Sequence, residues 1–75
     1  MNLRDYMHFR NLKQHELSEM LMIAPNYLGA IARGERKPSI RLAHMIEIKL
    51  NGEVTAKEIF DYFKEQQILD KEALT

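Results

Sequence analysis

Between Gln14 and Gly34 the aliphatic residues fall into two pairs, Leu17 with Leu21 and Leu28 with Ile31, and Ile23 lies between them. Spacings of four and three put each pair on one face of a helix. Met22-Ile23-Ala24 interrupts the pattern, and Pro25 follows it. Proline is tolerated in a first helical turn, where its missing N–H would have had no partner. Gly34 comes just after the last apolar position and can take the left-handed conformation that ends a helix. The stretch predicts a helix over about 14–21, a tight turn, and a second helix over about 25–33, sharing one apolar seam.

The flanking chain reads in the same way. Asn2 can cap a first helix over about 3–11, with Asp5 near its positive end and Asn11 at its close. Leu3 and Met7 should bury, with Phe9 and Leu12 closing the bottom of the core. After the loop Gly34 to Pro38, Ser39 caps a fourth helix over about 39–50. Its stripe is Leu42, Ala43, Ile46 and Leu50, with His44 and Met45 off it. Asn51-Gly52 ends that helix, and Thr55 with Glu58 forms a capping box opening a fifth, over about 55–66. Val54, Ile59 and one or two phenylalanines complete the core. The rest of Phe60, Tyr62 and Phe63, with Ile68 and Leu69 beyond, either folds back on the same subunit or forms a dimer interface. The division expected is a domain over 1–66 and an extension over 67–75 that dimerises or frays, the fraying being expected over 70–75. The fold class is all-α, with five helices.

Composition narrows the function. Seventy-five residues make one small domain, and a chain without cysteine has neither a disulfide framework nor a thiolate metal site. No apolar run approaches the roughly 20 residues of a membrane span, and the N-terminus carries Arg4 and Asp5 rather than an apolar signal segment. The expectation is a cytoplasmic protein with no membrane association. There is no glycine-rich phosphate loop, no nucleophile beside a base and no metal-binding pattern among the three histidines, His8, His15 and His44. Neither an enzyme, a cofactor nor a small-molecule ligand is expected.

Net charge is zero, but it is unevenly spread. Residues 1–50 hold eight Lys/Arg against five Asp/Glu, a net of +3, and residues 51–75 hold three against six, a net of −3. Within 33–41 there are four basic residues, Arg33, Arg36, Lys37 and Arg41, against Glu35 alone. Such a cluster is either a solvated loop or, directly after two helices joined by a tight turn, a set of phosphate contacts.

Gln14 to Gly34, QHELSEMLMIAPNYLGAIARG, together with the loop ERKPS, resembles the helix-turn-helix of the Cro/repressor (XRE-type) DNA-binding family, YdaS-like members included. The shared features are the opening glutamine, small Ser18, and aliphatic Leu17, Leu21, Ile23, Leu28 and Ile31. IEIKLNGEVTAKEIF resembles the segment that follows, so the likeness covers about residues 3–63. Two positions depart from it. Met22 stands where the family usually has glycine, and a left-handed backbone there costs a non-glycine residue roughly 1–2 kcal/mol. Ala24 stands where Ser or Thr usually caps the second helix, a loss of typically about 1 kcal/mol.

The resemblance implies that 25–33 is a recognition helix entering the major groove of double-stranded DNA. Pro25, Asn26, Tyr27 and Ala30 are then the candidate base contacts. Asn26 can read adenine or bind phosphate, Ala30 can touch a thymine methyl, and Tyr27 either meets the sugar-phosphate edge or is partly buried. Gly29, on the same exposed face, permits close approach. Gln14, Arg33, Arg36, Lys37 and Arg41 are the candidate phosphate contacts. The function implied is a sequence-specific transcriptional regulator, acting as a homodimer through the fifth helix. A different reading is a protein-interaction module on the same scaffold without DNA binding, which zero net charge and an aromatic fifth helix allow.

Overall fold

The computed structural model describes residues 1–74, with side chains through Glu72. Five helices follow in order: α1 (Leu3–Phe9), α2 (Gln14–Leu21), α3 (Pro25–Ala32), α4 (Ile40–Lys49) and α5 (Ala56–Leu74). No strand occurs among the described residues. α2 packs on α3, α1 on α3, and α4 on α5. Leu17, Leu21, Leu28, Ile46, Leu50 and Val54 are the fully buried centre, joined by Leu3, Ile31, Ala43 and Ile59 as the apolar stripes predict.

Four of the helices end with the same device. Asn11, Met22, Gly34 and Asn51 all have positive φ, between 54° and 75°. In each case the next residue's N–H reaches back five positions: Leu12 to Met7, Ile23 to Ser18, Glu35 to Ala30, and Gly52 to Glu47, at 2.8–3.0 Å. This is the Schellman arrangement, which satisfies end carbonyls while turning the chain sharply. The starts are equally explicit. Asn2 Oδ1 accepts from the N–H of Asp5 at 2.8 Å, and Ser39 Oγ from that of Leu42 at 3.1 Å. Thr55 and Glu58 form the expected reciprocal box. Glu47 adds a cap across elements, its carboxylate accepting from the N–H of Ala56 at 2.7 Å. At α2 only half a box exists. Glu16 accepts from the Lys13 N–H at 2.9 Å, while a lysine side chain has no acceptor to return the bond.

Three expectations are corrected. Phe9 does not close the core: α1 stops at Phe9, whose ring is 67% exposed with the Arg10 guanidinium 5.7 Å from its centroid. Tyr6 takes the buried place instead, at 5% exposure. Met45 is not off the α4 stripe, since it packs half-buried against the core. Helix five does not stop near 66 but continues to Leu74, and only Thr75 of the expected frayed tail lies outside the described residues. The extra turns give the molecule a long axis of 39 Å against 22 and 21 Å across.

Met22 is the one left-handed residue here that is neither Asn nor Gly (φ 57°, ψ 43°), and its side chain is 84% exposed. Replacing it therefore removes no packing. Met22→Gly relieves the left-handed penalty and adds back part of it as backbone entropy, so a net gain of about 0.5–1 kcal/mol is expected. Thermal unfolding should shift up by about 3–6 °C. An unchanged or lower midpoint would show that Met22 imposes no strain on the turn.

Candidate nucleic-acid interface

The outer side of α3 is built by subtraction. Leu28, Ile31 and Ala32 turn into the core. Positions 26, 30 and 33, spaced four and three apart, make one outward stripe of Asn26, Ala30 and Arg33. Asn26 and Arg33 are exposed and Ala30 is half-buried. Pro25 is exposed at the helix start. Ala24, in extended conformation before it, offers no side-chain cap. The first-turn amides of Asn26 and Tyr27 thus meet no capping side chain, and a helix start of this kind attracts anions.

Gly29 departs from the expected exposed face. It is buried, and the cover is Gln14. A Cβ on Gly29 would lie 2.7–2.9 Å from the Gln14 side-chain amide. From that seat Gln14 Nε2 donates to the carbonyl oxygen of Pro25 at 2.8 Å. Gly29 therefore accommodates a side chain of α2 rather than the approach of a ligand. One N–H of the Gln14 amide remains free of that bond, so the first residue of α2 presents a donor beside the start of α3.

Around the far end of α3 the basic residues differ in state. The Arg33 Nε donates to both carboxylate oxygens of Glu35, at 2.9 and 3.0 Å. That bond holds the Glu35 carboxyl below the usual range and pushes the Arg33 guanidinium up. Arg36 instead lies over the Tyr27 ring, 5.4 Å from its centroid, and Lys37 over Phe60 at 5.9 Å. An aromatic face attracts a cation without neutralising it. Among the described residues Arg36, Lys37 and Arg41 have no carboxylate partner. Tyr27 is half-buried with Arg36 upon it. Arg41 is exposed in the first turn of α4, and no hydrogen bond or ring contact joins it to the α3 group. Arg10, near the end of α1, is tied to Glu53 at 2.5 Å.

The loop rests on α5. Gly34 (φ 75°) packs so closely on Gln66 that a Cβ would come within 2.5 Å of it, and Gln67 Nε2 donates to the Gly34 carbonyl oxygen at 3.3 Å. Sequence reading missed Tyr62, Gln66 and Gln67 as supports of this loop, because they lie about thirty residues away on another helix, Gln67 just past its expected end. It also missed Glu35 as the partner of Arg33, although a carboxylate two residues along was a visible signal.

Gly29→Ala tests the seat of Gln14. The added methyl displaces a flexible side-chain end, and alanine favours a helix interior, so stability should change by no more than about 1 kcal/mol. The Gln14 side-chain amide resonances should move toward free-glutamine values in a nitrogen–proton NMR spectrum. Unmoved Gln14 resonances would refute the close packing.

A family model described as helix-turn-helix matches residues 10–57, spanning α2, the turn, α3 and all of α4. Neither a curated protein nor a solved structure matches the chain significantly. No helix among the described residues is long and apolar enough to cross a membrane. With the left-handed turn at Met22, the aliphatic seam it joins and this match over most of the chain, the protein belongs to the XRE-type helix-turn-helix family of DNA-binding domains.

Proposed function

We propose that this protein is a sequence-specific transcriptional regulator of Cro/repressor type that sets α3 in the major groove of double-stranded DNA. The observation that carries the reading is the stripe Asn26–Ala30–Arg33, with uncapped helix-start amides at one end and, in the loop after it, Arg36 and Lys37, which like Arg41 at the start of α4 have no carboxylate partner among the described residues. Asn26, Ala30, Pro25 and the edge of Tyr27 face base edges. Gln14, Arg33, Arg36, Lys37 and Arg41 hold phosphates and fix the register. Arg33 contributes less positive field than the other three, because Glu35 accompanies it.

The protein acts as a homodimer in the cytoplasm, with α5 supplying the contact. Ile68 and Leu69 are more than half exposed on its distal turns, and a two-fold pair would set two α3 helices about one DNA turn, roughly 34 Å, apart. A partner-binding module without DNA affinity is the second reading. One observation favours it, an open groove of about 320 Å³ lined by Ile40, Phe60 and Phe63 between Lys37 and Lys64.

Binding to a mixed pool of duplex DNA, followed by fluorescence anisotropy across a salt series, separates the two. The regulator binds at low salt and loses affinity linearly on a log–log plot. Arg36→Ala, Lys37→Ala and Arg41→Ala should each lower that slope by about one unit. A slope that stays the same in a variant removes that residue from the phosphate contacts. No duplex bound at low salt would favour the partner-binding module.

A further inference from the structure

We infer that α3 selects A·T pairs at the two positions beneath Asn26 and Ala30, and does not read guanine there. The inference rests on the DNA-binding reading above and adds the class of site.

Asn26 is exposed, and it is the only residue of the stripe with both a donor and an acceptor on one planar group. That pair matches adenine, which shows N7 and the N6 amino group side by side in the major groove. Guanine presents two acceptors there, which one amide cannot satisfy together.

Four residues on, Ala30 puts a methyl against the groove, and Pro25 adds an apolar ring at the helix start. Pressing a methyl on the amino group of cytosine or the oxygen of guanine strips water and returns no hydrogen bond. The thymine methyl is the only apolar feature of the major-groove floor, so an A·T pair under Ala30 is the one that gains from the contact. Four helical residues rise about 6 Å, close to two base-pair steps of about 3.4 Å. The adenine read by Asn26 and the thymine methyl under Ala30 therefore lie about two pairs apart.

Guanine readout needs a cationic fork, and the stripe has one candidate, Arg33. Its Nε is held by both oxygens of Glu35, which occupies the side-on fork and leaves only the end-on pair of Nη groups, nearly one turn beyond Ala30. The Glu35 carboxylate also brings a negative charge toward the O6 and N7 acceptors that Arg33 would have to approach. Gln14 cannot swing into the groove in its place without giving up Pro25 and its seat on Gly29. Arg36 is drawn back over Tyr27.

The test is selection of binding sites from randomised duplexes with the whole chain at low salt. Each thymine of the selected core is then replaced by uracil, which removes the methyl and nothing else. The expected outcome is a core with A·T pairs at two positions about two steps apart. One uracil replacement should weaken binding about three- to fivefold, the value of one buried methyl. Asn26→Ala should lose the preference for adenine at the other position, by about tenfold against the remaining bases. A selected core with guanine at these positions, or indifference to uracil, overturns the inference and leaves the DNA-binding reading standing. Retention of no duplex overturns both.

Discussion

Helices of seven to ten residues can cover a common core only if the chain turns sharply where each one ends. Here that constraint is met by left-handed backbone at Asn11, Met22, Gly34 and Asn51, each followed by a bond reaching five residues back. Everything else depends on those four corners. They bring Leu17, Leu21, Leu28, Ile46 and Leu50 to one centre, and they fix the angle at which α3 leaves α2. Short helices have little stability of their own, so the corners and the shared core hold each other in place.

The outer surface of α3 follows from the corner at Met22. Once α2 and α3 are set against each other, the first residue of α2 lies over the middle of α3, and only a residue without a side chain fits beneath it. Gln14 then has one role toward the fold, in its bond to the Pro25 carbonyl, and keeps a free N–H for a ligand. The basic loop shows a similar economy. Tyr27 and Phe60 seat Arg36 and Lys37 by their ring faces, which fixes the side chains while leaving their charge uncompensated. A neutral chain can thus carry a positive face, because its acidic excess lies beyond residue 50.

What the sequence made legible was whatever is local. The two aliphatic pairs, the proline at the start of α3, the caps at Asn2, Ser39 and Thr55, and the glycine after Ile31 all act within a turn or two, and the helices appear where those signals put them. The left-handed turn at Met22 was legible only through the family likeness, which usually has glycine there. The misreadings concern contacts between distant segments. Gly29 has the spacing of an exposed residue, and only the arrival of Gln14 from another helix buries it. Phe9 is apolar enough for the core, but α1 ends there and Tyr6 takes the place. Gln66 and Gln67 are polar, so nothing in their pattern marks them as supports for a loop thirty residues earlier.

That support has a consequence in time. During synthesis the segment from Gly34 to Lys37 is made well before Phe60, Gln66 and Gln67, on which it rests. At about 5–20 residues per second, the 33 residues from Gly34 to Gln67 take roughly two to seven seconds to follow. For that interval the nascent chain can own its first three helices and still lack the backing that holds the basic loop beside α3. The basic surface beside α3 is completed by a helix that lies behind it, and it becomes a finished surface only when that helix has left the ribosome.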